Sequence, residues 1–269
     1  SIWFLKNELE AMGLKQRLIT DNNASLEFFL GSPNAVNKES VYRFLKNRVS
    51  FSSAVSKIKN LTKAEKENLK RFWDQRLDAE YAGDMFELGV KFLNKNDLRR
   101  ANEKLREAVR LDPRFILAHY FLGNSLAAAR DFKQAENHFR SAIQLQSDFA
   151  EAYGGLGNIL AVQGNLDGAI AEFEKAIEIK PNLFEAQINL GIAWGHKGEF
   201  EKAHAHYKKA IQIQPQNHQT YLMLANSLYN NKDWKEAVRY YRDVLKLNSK
   251  LIQARENLRK ALQKLEGKQ

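Results

Sequence analysis

Three glycines in four positions, Gly154, Gly155 and Gly157, open the stretch that begins "YGGLGNILAV" at Tyr153. A run of this kind ahead of a helix can cradle a phosphate, because its backbone N–H groups approach an anion unobstructed. His204 and His206 stand two residues apart, and Glu172/Glu174 and Glu199/Glu201 repeat that spacing in carboxylates. Paired histidines ligate metals and paired carboxylates carry acid–base catalysis, so each cluster names a chemistry to weigh against its setting.

None of them survives that test. Residues two apart do not share a helix face, and no histidine pair has the i,i+4 spacing that a zinc site on one helix uses. No glycine loop leads to a Lys-Ser/Thr pair, and no serine has an evident base. The chain has no cysteine, which removes disulfides, thiolate metal sites and cysteine nucleophiles together. The expectation is a non-enzyme with no catalytic residue, no cofactor and no metal.

The glycines are explained by repetition. Leu88-Gly89, Leu122-Gly123, Leu156-Gly157, Leu190-Gly191 and Leu224-Ala225 recur every 34 residues. Ala101, Ala135, Ala169, Ala203 and Ala237 keep that interval, as do Ala108, Ala142, Ala176, Ala210 and Val244. Pro113, Pro181 and Pro215 share a phase, with Ser147 and Ser249 in the other two copies. Gly157 is therefore one instance of a packing position, whereas Gly154 and Gly155 are not repeated and need a separate reason.

Each copy reads as two helices. In the third, Tyr153, Leu156 and Leu160 have helical spacing, a polar turn follows at Gly164-Asn165, and the second helix runs through Ala169, Phe173 and Ala176 toward Pro181. The carboxylate pairs fall on or beside second helices, where charge faces water rather than a closed pocket that could set their pKa values apart. After the last copy, Leu251, Ala254, Leu258, Leu262 and Leu265 form one apolar stripe, with Arg255, Arg259, Lys260 and Lys264 elsewhere. A helix of that kind caps an array whose last face would otherwise be wet.

This pattern resembles the tetratricopeptide repeat family, in five copies beginning at Ala82, Ile116, Ala150, Phe184 and His218. The resemblance implies an all-α fold: a right-handed α-solenoid of helical hairpins over 81–251, a capping helix over 252–269, and a mostly helical region over 1–80. It also implies a role in protein–protein interaction, with a partner's peptide segment in the concave groove lined by the first helices. Carried over by position, the groove residues are Phe86, Val90, Tyr120, Asn124, Gly154, Asn158, Ile188, Asn189, Ile192, Leu222, Asn226 and Tyr229. An asparagine amide both donates and accepts, so Asn124, Asn158 and Asn226 could read peptide backbone, or could instead bond between neighbouring repeats. Gly154 would leave a hollow among the larger groove side chains. One subgroup captures a C-terminal carboxylate with two asparagines and three cations. Here Asn158 and Asn189 fit the amides, but Gly154, Gln219 and Met223 stand at the cationic places, which argues against that mode.

Before residue 81 the repeat fails. Ile2, Leu5, Leu9 and Met12 give an amphipathic helix closed by Gly13; Val41, Phe44, Leu45, Val55 and Ile58 suggest a second; Thr62 with Glu65 forms a capping box opening a third through Leu69, Trp73 and Leu77. That third helix is placed to merge with the first repeat. Leu5–Leu30 also resembles, in part, the first helix, second strand and second helix of a response-regulator receiver domain, without its acidic pair or phosphate-accepting aspartate. The alternative to a plain scaffold is a signalling adaptor whose N-terminal region docks a second protein or another copy of the chain, making a homo-oligomer.

The net charge of +10 is uneven. Residues 81–231 hold 17 Lys+Arg and 17 Asp+Glu, so the excess sits in the flanks and the repeats carry no basic stripe for nucleic acid. No stretch reaches the ~18 apolar residues of a membrane span. Absence of cysteine favours a reducing compartment, so a bacterial cytoplasm is the expected address, with an upstream signal or anchor left open by the start at Ser1.

Overall fold

A computed structural model describes residues 62–267, which among themselves form eleven α-helices and no strand. They divide into two compact units, with the boundary along the chain between Phe115 and Ile116. The expectations for residues before Thr62, including both leading helices and the receiver resemblance, lie outside the described residues.

In the first unit, α1 (Lys63–Asn94) runs unbroken for 32 residues and turns into α2 (Leu98–Leu111). The expected third helix and the first helix of the first copy are thus one element. It starts directly after Thr62, as a cap there requires; the side chain of Glu65 is outside the described set. Ala82 and Met85 of α1 close on Ala101, Leu105 and Ala108 of α2, all buried. Leu105 lies so near Gly89 that a Cβ there would meet its Cγ at 2.6 Å.

The second unit holds four further hairpins and the cap: α3 (Ile116–Ala128) with α4 (Phe132–Leu145), α5 (Ala150–Val162) with α6 (Leu166–Ile179), α7 (Phe184–His196) with α8 (Phe200–Ile213), α9 (His218–Asn230) with α10 (Trp234–Leu247), and α11 (Ile252–Glu266). Each hairpin turn reverses the chain through one residue with positive φ: Asn96, Arg130, Gly164, Gly198 and Lys232, again 34 apart. Glycine takes that conformation freely; arginine and lysine take it at some strain, offset by the tight packing of the hairpin. The next residue then caps the second helix. Asp97, Asp131, Asn165 and Asp233 each accept from the backbone N–H three residues on, satisfying a donor with no partner inside the helix.

Packing follows the same interval. Ala135, Ala169, Ala203 and Ala237, and Ala142, Ala176, Ala210 and Val244, are fully buried. The repeated glycine makes room for a ring 16 residues later: Gly123 for Phe139, Gly157 for Phe173, Gly191 for Tyr207. A methyl at any of these three would stand 2.5–2.8 Å from a ring atom, so the helix axes approach as they do because the side chain is missing. The cap packs through the buried Ala254 and Ala261, with Leu251, Leu258 and Leu262 against the cluster of Leu224, Leu228, Val238 and Tyr241. Its four predicted basic residues are exposed.

Candidate functional site

The candidate trough is built on the first helices of the second unit, where α5 touches both α3 and α7 and α9 touches α11. Two hydrogen bonds fix their register. Asn189 Nδ2 donates to Asn158 Oδ1 at 2.7 Å, and Asn257 Nδ2 donates to Asn226 Oδ1 at 3.0 Å. Both link residues 31 apart, so they are two rungs of one ladder between successive first helices. The carbonyl of Asn226 also accepts from the hydroxyl of Tyr241 at 2.7 Å. Burial pushes that phenol up to about 12, so it keeps its proton and remains a donor.

The expected asparagines therefore divide. Asn158 and Asn226 hold neighbouring helices together, which is the inter-repeat role weighed above. Asn124 has Gly155 at the opposite place on the next helix, and its half-buried amide meets no hydrogen-bond partner in the described structure. It is the one of the three with both donor and acceptor free.

Around these rungs the apolar positions are unevenly covered. Ile192 is 37% exposed, Leu117 45% and Val162 63%. Tyr120 is half-buried against Phe149, ring centroids 5.1 Å apart, and Ile188 and Tyr229 are half-buried against the core of the last two repeats. Leu222 is 6% exposed and belongs to that core, so it offers no surface for contact. Gly154 has nothing within 4 Å of where its Cβ would be, and Gly195 likewise, which leaves two hollows on the first-helix surface. Phe86 and Val90 lie half-buried in the first unit, Phe86 packing on Phe115 at 4.9 Å.

A pairing inside three of the hairpins escaped the sequence reading. His119 and His138 meet Nδ1 to Nδ1 at 3.0 Å, and the same two places in the fourth copy hold Gln187 and His206, Oε1 to Nδ1 at 2.8 Å. In the fifth they hold Tyr221 and Tyr240, with ring centroids 6.4 Å apart. The signal was a 19-residue separation within the repeat, which spans two helices and is invisible to a search along one. No group of three or more metal-ligating side chains occurs among the described residues, and no helix there is long and apolar enough to cross a membrane.

Comparison with known proteins agrees with this geometry. Residues 136–251 match the tetratricopeptide domain of cytochrome c-type biogenesis protein H. A crystal structure of MamA is similar at 24% identity and a TM-score of 0.56, over 64% of this chain and 93% of that one. MamA from Desulfovibrio magneticus RS-1 gives 20% and 0.58, over 64% and 97%. YrrB, described as a tetratricopeptide repeat protein with an unusual peptide-binding site, gives 17% and 0.53, over 64% and 89%. The described helices have the tetratricopeptide repeat fold, and residues 136–251 match a tetratricopeptide domain model. No curated protein sequence matches this chain closely enough to count as a relative. Nothing in these comparisons bears out the receiver resemblance. The fold is one that commonly serves protein–protein interaction, and the partner must be argued from the trough itself.

Proposed function

We propose that this chain is a non-catalytic, cytoplasmic scaffold that holds an extended segment of a partner protein against the first helices of the second unit. The observation that carries the reading is the coincidence of exposed apolar side chains with the places expected to face a ligand. Ile192 is one of those places, Leu117 and Val162 stand on the first helices α3 and α5, and all three are large apolar side chains left in water among the described residues. Asn124 supplies a free amide for one peptide unit of the bound chain, and Gly154 and Gly195 leave room for its side chains. YrrB, similar in fold, is described as having a peptide-binding site, which lends support by analogy.

The test is capture from native cells with wild type, Asn124→Ala and Ile192→Asp, followed by anisotropy with a synthetic segment of whatever is captured. Both variants should lose the segment at least fivefold while melting as wild type does. Affinity unchanged in both would remove the trough from consideration. The adaptor alternative assigns a second interaction to residues 1–61. It requires that their deletion abolish one partner and spare the one held by the trough.

A further inference from the structure

The α3–α4 hairpin brings two imidazoles together head-on. The Nδ1 atoms of His119 and His138 stand 3.0 Å apart, and the ring centroids 5.2 Å apart. The gap between the nitrogens and the two ring radii use up that whole separation, so the nitrogens point at each other along the line of centres. His119 is 7% exposed, whereas His138 on α4 is half-buried and open to solvent on one side. Packing does not ask for histidine at these places. They hold Tyr153 and Glu172 in the third copy, Gln187 and His206 in the fourth, and Tyr221 and Tyr240 in the fifth. The facing imidazoles belong to the second copy alone.

Two neutral imidazoles that face through Nδ1 admit one proton between them, and that proton occupies the place an ion would take. Metal–imidazole bonds are about 2 Å long, so an ion on the line needs the nitrogens about 4 Å apart and the rings parted by about 1 Å. The more exposed His138 can give that by rotating its side chain, while the adjacent Phe139 stays pinned against Gly123 and Gly155. Among the described residues no further histidine, aspartate or glutamate completes a group of three. Zinc, which takes four ligands, would have half its shell unfilled by protein. A soft monovalent cation of the copper(I) kind is satisfied by two nitrogens in line, and imidazole is a ligand copper accepts.

We propose that His119 and His138 form a two-coordinate site for a soft monovalent cation, copper(I) in the cell and silver(I) as its redox-silent stand-in. The ion takes the place of the shared proton, and each ring then carries its proton on Nε2, so nothing is oxidised or reduced. The site is independent of the trough reading, because neither histidine is among the trough residues.

The test titrates the 15N-labelled full-length chain with silver nitrate in chloride-free buffer and follows the histidine ring nitrogens by NMR. One equivalent should saturate the Nδ1 signals of His119 and His138 together, with the exposed His196 responding only to excess silver. His119→Gln installs the amide–imidazole pair that the fourth copy already carries, so it should melt as wild type does and bind silver at least tenfold more weakly. His138→Gln, at the more exposed member, should lose silver equally. Gln187→His is the converse change and should raise the stoichiometry from one to two. Saturation that leaves the two Nδ1 signals unmoved, or unchanged affinity in both glutamine variants, overturns the site. Absence of a second equivalent in Gln187→His overturns the claim that two facing imidazoles suffice. Zinc bound as tightly as silver overturns the linear geometry. Anaerobic copper(I), competed against bicinchoninate, should rank the variants as silver does, and a different order overturns copper as the occupant.

Discussion

A Cβ placed on Gly155 would stand 2.5 Å from Cε1 of Phe139, a ring already pressed against Gly123 of its own hairpin. Phe139 is therefore held between two helices that both give up a side chain to admit it. The neighbouring Gly154 faces open space. Two adjacent glycines in one helix thus have opposite reasons for being glycine, and their substitution should have opposite effects.

Gly155→Ala should destabilise the fold by about 1–3 kcal/mol, the usual cost of overpacking a rigid core. The ring is buried and cannot swing aside as the end of a flexible side chain would. Urea unfolding should show a lower midpoint with an unchanged slope.

Gly154→Ala should raise stability by about 0.5–1 kcal/mol, because alanine loses less backbone entropy in a helix interior and meets no obstacle here. On the proposed function, the same methyl narrows a hollow on the ligand side and weakens the partner segment. A variant that melts higher and binds less is the expected signature in paired melting and anisotropy measurements.

The asparagines should separate by role. Asn226→Ala removes the acceptor of the Tyr241 hydroxyl, whose residue is buried, and should cost about 1–3 kcal/mol. Asn158→Ala breaks the exposed rung to Asn189 and should cost under ~1 kcal/mol. Asn124→Ala should leave the melt unchanged. Thermal denaturation of the three single variants decides the order.

Acid should loosen the fourth repeat. Burial holds the pKa of both His204 and His206 below the ordinary histidine value, with nearby Lys208 and Lys209 acting in the same direction and Glu201 partly opposing it at His204. His204 is buried with no partner on Nε2, and His206 donates through Nδ1 to a glutamine oxygen. Below about pH 6.5 the unfolded chain takes up protons that the folded chain resists, so stability is full above that pH and falls as pH drops toward the depressed folded values. Unfolding free energies at pH 7.5 and 5.5 should differ in that direction, and His204→Asn with His206→Asn should flatten the difference.

The repeat interval made the fold legible because each hairpin solves one packing problem with the same residues. Gly123, Gly157 and Gly191 could be read as close-approach positions, and the capping box at Thr62 marked the start of a helix placed to merge with the first repeat. The site was less legible because neighbouring repeats add contacts that no single copy contains. Gly155 makes sense only beside a ring of the preceding hairpin, and the rung from Asn158 to Asn189 only once the first helices are laid side by side. Leu222 was expected to face a ligand, but at the end of the array it is drawn into the core that the cap covers. His119 and His138 were judged along one helix, whereas their meeting depends on the turn between two.

The asparagine rungs tie grip to elasticity. On the proposed function, the same atoms that keep adjoining hairpins in step lie where a guest strand would run, so a guest that takes the place of Asn189 on the carbonyl of Asn158 slackens that tether. Loading of that kind would loosen the stacking of α5 on α7, and strain between those two helices would in turn alter how firmly the guest is held.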